Sequence, residues 1–197
     1  MSEALHEIRL MGRGGGGIVT AGELLGQAAL LEGRHAQSMP TFGPERRGAL
    51  STCTLRIGTD EILLKCSTAQ PSILAVLDPT IWHHAPVTMG LQEGATLVFN
   101  TPASPEEVEA DLRAARHGYP LGVDACTVIT VDATKIALEH IGRAITNTTM
   151  MGAVSGATDI VSMASIEAVL GERFGAKADA NIAAARAGRD SLVHRSQ

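Results

Sequence analysis

Gly12-Arg13-Gly14-Gly15-Gly16-Gly17 is the feature that most restricts the fold. Before it, His6-Glu7-Ile8-Arg9-Leu10-Met11 partly alternates polar and apolar residues; after it, Ile18 to Leu31 carries Leu24, Leu25, Ala28 and Leu31 at helical spacing. Glycine loses more backbone freedom on ordering than any other residue, so such a run belongs to a turn rather than to the interior of a regular element. The segment reads as strand, glycine turn, helix, with Gly33 as the helix stop. Gly12, Gly14 and Gly17 satisfy Gly-x-Gly-x-x-Gly, a turn that lets backbone N–H groups at a helix start face an anion such as pyrophosphate. A dinucleotide site also needs an acid near the end of the second strand, about twenty residues on. Glu32 has the spacing but falls at the helix end, and His35 to Met39 offers no acid. The turn is thus compatible with a nucleotide, with another anion, or with close packing alone.

Further along, Ser38 to Ala49 contains Pro40, Gly43 and Pro44, which predicts a loop. Leu50 to Ile57 and Glu61 to Lys65 predict two strands joined by Gly58-Thr59-Asp60 as a hairpin. Ile73 to Leu77, Thr96 to Phe99 and Thr127 to Val131 are the apolar-rich runs expected of strands covered on both faces. Ser104-Pro105-Glu106-Glu107 starts a helix with proline at the first helical position and acids in the first turn. Asp132 precedes another helix from Ala133 to His140, and the chain from Asn147 onward reads as helical, with a polar tail, 189–197, expected to fray. Strands alternating with helices in 197 residues, 45% of them hydrophobic, predict the α/β class. The expected architecture is a single Rossmann-like domain over 1–197, with a mostly parallel sheet, a β-hairpin insertion and a helical C-terminal part.

Charge and cysteine usage exclude several function classes. A net charge of −5 provides no summed positive field for nucleic acid or anionic lipid, and aromatic residues are only 3%, too few for stacking platforms. The longest apolar runs fall well short of the roughly 20 residues that span a bilayer. The start, Met1-Ser2-Glu3-Ala4, lacks the basic and apolar regions of an export signal, so a cytoplasmic location is expected. Cys53, Cys66 and Cys126 form no Cys-x-x-Cys pair, so this chain alone holds neither a structural zinc nor a four-iron cluster. Adjacent His83 and His84 make no metal-ligand helix motif, and Ser155 lies in no Gly-x-Ser-x-Gly elbow. In Phe42-Gly43-Pro44-Glu45-Arg46-Arg47-Gly48-Ala49, two arginines can present planar charged donors to phosphate or carboxylate; the alternative is a surface ion pair with Glu45.

Taken together, these segments resemble the gamma subunit of 2-oxoacid:ferredoxin oxidoreductases. Gly12 to Ala21 is similar to the family's Gly-Arg-Gly-Gly-Gln-Gly-x-Val-Thr-Ala, and Phe42 to Ala49 resembles its most specific signature. Asp78-Pro79-Thr80, Asn100, Asp132 with Ile136-Ala137, Asn147 with Met150-Met151-Gly152-Ala153, and Asn181 with Gly188 fall in matching order. The resemblance implies a complex that oxidatively decarboxylates a 2-oxoacid on thiamine diphosphate, with alpha, beta and delta subunits holding that cofactor and the iron–sulfur clusters. Coenzyme A is the implied acyl acceptor, and ferredoxin or a flavin/NAD subunit the implied electron acceptor. The gamma chain would be silent alone and would support assembly and frame the active site. Its implied cofactor-binding residues are Gly12, Gly14, Gly15, Gly17, Arg46 and Arg47: coenzyme A phosphates are the task implied for the two arginines, Arg47 first, while the glycine turn would shape a helix start toward the subunit interface or an anion. Gly16 departs from the common glutamine and Leu50 from a frequent proline, and pyruvate, branched-chain, aryl and oxalate substrates all stay open. The rival reading is a stand-alone NAD(P)-binding oxidoreductase that uses the Gly12 to Gly17 turn.

Overall fold

The computed structural model describes residues 5–42, 48–63, 70–114 and 125–195. Strand β1 (His6–Arg13) runs into the glycine turn and is followed by helix α1 (Ile18–Leu31). Alternation along β1 sends Ile8 and Leu10 to one face, where Leu24, Leu25 and Ala28 of α1 cover them with almost no solvent exposure. Replacing one of these buried leucines by alanine costs about 2–5 kcal/mol on the general scale for core truncations.

The chain then returns through β2 (His35–Phe42) and β3 (Leu50–Gly58), an antiparallel pair with Ala36 opposite Ile57 and Pro40 opposite Cys53. Two sequence expectations are corrected here. Ser38 to Phe42 is strand rather than loop, and the hairpin joins β2 to β3, not Leu50–Ile57 to Glu61–Lys65. Glu61 to Leu63 form no strand, and 64–65 lie outside the described residues. Pro40 is tolerated because β2 is the edge of the sheet, where a missing N–H interrupts no ladder on the open side.

Strands β4 (Ile73–Val76), β5 (Thr96–Asn100) and β6 (Thr127–Val131) add in parallel to β1, and β7 (Val193–His194) closes the far edge antiparallel to β6. The order is β2-β3-β1-β4-β5-β6-β7, so the mixed, mostly parallel α/β sheet expected from the alternation is present. Helix α2 (Pro105–Ala114) lies on the face where Met11, Leu74, Val76, Trp82 and Phe99 form one apolar cluster. The opposite face carries α1 together with α3 (Ala133–Ile141), α4 (Asn147–Thr158), α5 (Met163–Phe174) and α6 (Ala178–Asp190). Met150 and Met151 belong to that core and Met163, partly buried, packs against it, as expected for gap-filling side chains. Arg189 and Asp190 complete α6 and β7 pairs with β6, so this part of the tail is ordered, and 196–197 lie outside the described residues. Among the described residues no helix is long and apolar enough to cross a membrane.

Candidate functional site at the glycine turn

Parallel strands leave their carboxyl ends on one side of a sheet, and ligands of open α/β folds bind there, where the strand order reverses. In this chain that point is the end of β1, with β4 on one side and the inserted β3 on the other. The glycine turn occupies it. Gly16 N–H donates to the Arg13 carbonyl (2.9 Å), while Gly15 (φ 94°) and Gly17 (φ 78°) take left-handed conformations that favour glycine. Gly17 is the N-cap of α1, and no side chain caps the helix. The first intrahelical bond runs from Ala21 N–H to the Gly17 carbonyl (2.9 Å), so the preceding N–H groups have no partner within the helix. The first turn of α1 carries no acid, which leaves its positive dipole end uncompensated by a carboxylate of its own.

Arg13 braces the turn. Its Nη1 donates to the Gly48 carbonyl (3.2 Å), its Nη2 to Thr80 Oγ1 (2.9 Å), and its Nε lies 3.4 Å from Asp78 Oδ2. Asp78 is itself fixed, since Oδ1 accepts from both the N–H (2.8 Å) and the hydroxyl (2.6 Å) of Thr80. Gly14 exchanges backbone bonds with the start of β3: its N–H donates to the Ala49 carbonyl and its carbonyl accepts from Gly48 N–H. Asn100, almost wholly buried, donates from Nδ2 to the Leu77 carbonyl (2.8 Å) and accepts at Oδ1 from Thr134 N–H (3.1 Å). It thereby ties the ends of β4 and β5 to the start of α3.

Two depressions meet at Ile18 across the turn. A cleft of about 250 Å³ is lined by Gly12, Arg13, Gly16, Ile18, Leu77, Asp78, Pro79, Asn100, Thr134, Ala144 and Thr146. A second, of about 300 Å³, is lined by Gly14, Gly15, Gly17, Ile18, Val19, Thr20 and Ser51. Of the residues expected from the sequence, Gly12 therefore faces the first depression, and Gly14, Gly15 and Gly17 the second. Arg46 and Arg47 lie outside the described residues, but Gly48, next to Arg47, is bonded to Gly14 and Arg13. Sequence reasoning assigned no binding role to Arg13, Asp78, Asn100 or Asn147. The Asp78-Pro79-Thr80 turn directly after an apolar strand was the signal that placed a carboxylate at this edge.

The rival NAD(P) reading is not supported. Strand β3 separates β1 from β2, so the end of the second strand does not adjoin the glycine turn as a ribose-binding acid must. Glu32 is engaged elsewhere: it pairs with Arg34 and accepts from Ser162 N–H (2.7 Å) at the start of α5. Partial burial pushes its carboxyl up, but the bonds from Ser162, Ser165 and Arg34 outweigh this and hold it below the usual value.

Comparison with known proteins gives the relationship. A sequence model described as pyruvate ferredoxin/flavodoxin oxidoreductase matches residues 7–191. A pyruvate/ketoisovalerate oxidoreductases common subunit gamma from Thermococcus litoralis is 43% identical over 168 residues, covering 85% of this chain and 86% of that one. The crystal structure of pyruvate oxidoreductase subunit PORC from Thermotoga maritima superposes with a TM-score of 0.81 at 34% identity, over 96% of this chain and 98% of that one. A 2-oxoglutarate:ferredoxin oxidoreductase from Magnetococcus marinus, with 2-oxoglutarate, coenzyme A and succinyl-CoA bound, shares the fold. Its TM-score is 0.75 at 18% identity, over 95% of this chain and 31% of that longer one. With most of its length matched both by the family model and by separate gamma chains, the protein belongs to the pyruvate ferredoxin/flavodoxin oxidoreductase family, as a chain of its gamma (PorC) type.

Proposed function

We propose that this chain is the gamma subunit of a cytoplasmic, thiamine diphosphate-dependent 2-oxoacid oxidoreductase complex, and that it presents coenzyme A to an active site built by its partners. The overall reaction converts a 2-oxoacid anion and the coenzyme A thiol to acyl-CoA, carbon dioxide and one proton, with two electrons passed on. Ferredoxin, or a flavin/NAD subunit, takes those electrons through iron–sulfur clusters on a delta-type partner, while alpha- and beta-type partners hold thiamine diphosphate. The observation that carries this reading is the 43% identity to a gamma subunit over 85% of the chain.

The chain's own chemistry agrees with a non-catalytic share. Cys53 is sealed under α1, and burial pushes its thiol up in spite of a hydrogen bond with Ser38; Cys126 is likewise raised by burial. Both thiols are therefore held in their protonated, weakly nucleophilic form. What the chain does offer is an uncapped helix start, the braced guanidinium of Arg13 and, by sequence, Arg46 and Arg47, a donor set suited to phosphate. The test is anoxic affinity purification of the tagged chain from its host, followed by subunit identification, a visible spectrum and a thiamine diphosphate assay. Co-purifying larger chains with iron–sulfur absorption and bound thiamine diphosphate are expected. A colourless chain eluting alone would end the proposal. In the assembled complex, Arg47→Ala is expected to raise the apparent KM for coenzyme A.

A further inference from the structure

Asn100, the last residue of β5, lies on the wall of the β4-side cleft, yet it is only 1% exposed and both hydrogens of its amide are spent inside the chain. Nδ2 donates to the Leu77 carbonyl (2.8 Å) and to Thr134 Oγ1 (3.0 Å), while Oδ1 accepts from Thr134 N–H (3.1 Å). These partners fix the orientation of the amide, because a carbonyl can only accept and an N–H can only donate. A second buried donor meets the same carbonyl: Thr146, 7% exposed and immediately before Asn147 at the start of α4, donates from Oγ1 to the Leu77 oxygen (3.2 Å). Leu77 N–H, for its part, donates to the Met11 carbonyl of β1 (2.8 Å). The β4–β5 ladder stops at Val76 opposite Phe99, so side chains from β5 and α4 hold the next residue where a strand no longer does. Asparagine is disfavoured in strands, and a buried amide is costly unless its bonds are made, so two such donors on one carbonyl mark a peptide group whose placement outweighs apolar packing.

Asp78 is the next residue. Its Oδ1 takes both Thr80 bonds and its Oδ2 faces Arg13 Nε, and Arg13 Nη1 in turn donates to the Gly48 carbonyl. The side chains of Asp78 and Arg13 are 23% and 45% exposed, so a ligand in the cleft can reach them where it cannot reach the Asn100 amide. We propose that Asn100 is a positioning residue: together with Thr146 it fixes the Leu77–Asp78 peptide group, and thereby sets Asp78 and the Arg13 guanidinium paired with it at the rim of the cleft. The identity of the ligand they meet as coenzyme A rests on the function proposed above; the hold on Asp78 does not. Asn100 acts through Leu77 and gives no hydrogen bond of its own to the ligand. Without the two side-chain donors the residue after β4 is anchored from the β1 side alone, through its N–H, and the carboxylate that follows it is free to move relative to Arg13.

Two variants test this. Asn100→Asp keeps the oxygen used by Thr134 N–H and turns the end facing Leu77 into an acceptor that repels the carbonyl. Thr146→Val removes the other donor with little change of shape and costs α4 no side-chain cap, so it covers the case in which a buried carboxylate at position 100 prevents folding. In the assembled complex both are expected to raise the KM for coenzyme A about tenfold, the equivalent of one hydrogen bond's net contribution, and to leave the KM for the 2-oxoacid unchanged. Amide hydrogen exchange at Leu77, Asp78 and Thr80, measured without ligand, is expected to quicken by about tenfold as well. Thr146→Ser, which retains the hydroxyl, is expected to match wild type in both readouts. A merely structural role would lower the Tm and the yield of complex while leaving both KM values in place, and that result overturns the proposal. Unchanged exchange at 77–80 in both variants overturns it too. If the wild-type complex turns over without coenzyme A and binds none, the coenzyme A reading falls, while faster exchange at 77–80 in the variants still supports the hold on Asp78.

Discussion

Helices α4 and α6 approach each other through glycine, and substituting one of those glycines gives a sharp test of the packing that holds Asn147 in place. A Cβ on Gly152 would lie 1.8 Å from the Ala185 carbonyl oxygen and 2.5 Å from its carbon, both of them backbone atoms that no rotamer change can move. Carbon and oxygen in close contact normally stay about 3.3 Å apart or more, so Gly152→Ala must separate the helices locally by about 1.5 Å. A gap of 0.5–1 Å already forfeits about a quarter to a half of a contact's attraction. Met150, Ala153, Ala184 and Ala185, all at 1% exposure or less, sit in this interface. Overpacking typically costs about 1–3 kcal/mol, and the backbone obstacle puts this case at the upper end. Alanine returns about 1 kcal/mol of helix propensity. The net loss is about 2 kcal/mol, or a fall of roughly 4–8 °C in Tm for a chain of this size. Gly171→Ala in α5 is the control, since nothing lies within 4 Å of its Cβ position, and it is expected to stabilise by up to about 1 kcal/mol. Gly188→Ala meets the Thr149 carbonyl at 2.3 Å across the same interface, so the double variant should cost less than the sum of the singles. Urea and thermal unfolding of wild type and these four variants measure this. A Gly152→Ala protein as stable as wild type, or fully additive costs, would refute the close-contact argument.

Other parts of the molecule give independent tests. Gly17→Ala forces a side chain into a left-handed conformation against Asn147 and is expected to cost about 1–2 kcal/mol, read by urea unfolding. Arg56, 1% exposed, donates to Glu7 (2.8 Å) and Gln37 (3.1 Å), and Arg56→Met should cost about 3 kcal/mol, much of it regained in Glu7→Leu/Arg56→Met. Failure of the double variant to regain stability would show that the pair is not the source of the loss. The Glu32 carboxyl is lower in the folded chain than its ordinary value of 4.5, so its contribution is present above about pH 4.5 and disappears as pH falls through the folded value. Glu32→Gln should therefore be less stable than wild type at pH 7, with the difference closing on acidification; a gap that widens toward pH 3 would contradict the assignment.

The parts of the fold that could be read from the sequence are those in which local pattern and tertiary role agree. Ile73 to Leu77 is apolar throughout and Thr96 to Phe99 is apolar after its first residue, and they became β4 and β5, with Ile73 to Val76 and Leu97 to Phe99 buried. The spacing of Leu24, Leu25 and Ala28 predicted α1, whose boundaries coincide with the observed helix. Strand β2 was hidden by Pro40 and the following Gly43-Pro44, because proline signals a break only until the strand is known to be an edge, and edge position is a property of the whole sheet. The hairpin partner of β3 was misplaced for a related reason: Gly58-Thr59-Asp60 has turn composition, but pairing is decided by which neighbour can cover Cys53, Leu55 and Ile57. At the site, the glycines declared themselves, whereas the Asn147 amide meets Gly17 only after a fold spanning 130 residues has closed. No spacing rule contains that contact.

The inserted strand also explains why the glycine turn can persist without the acid that accompanies it in dinucleotide folds. That acid works because β2 lies beside β1 and carries a carboxylate to the ribose on that side of the turn. Here β3 fills the space beside β1, and the residues just before it, Gly48 and Ala49, are bonded onto Gly14, which moves the β2 end one strand further out. The remaining polar groups are on the other flank: Asp78 and Thr80 after β4, Asn100 at the end of β5, Thr146 and Asn147 at the start of α4. The polar side chains that border the helix start are thus those of the β4 flank, around a cleft of about 250 Å³.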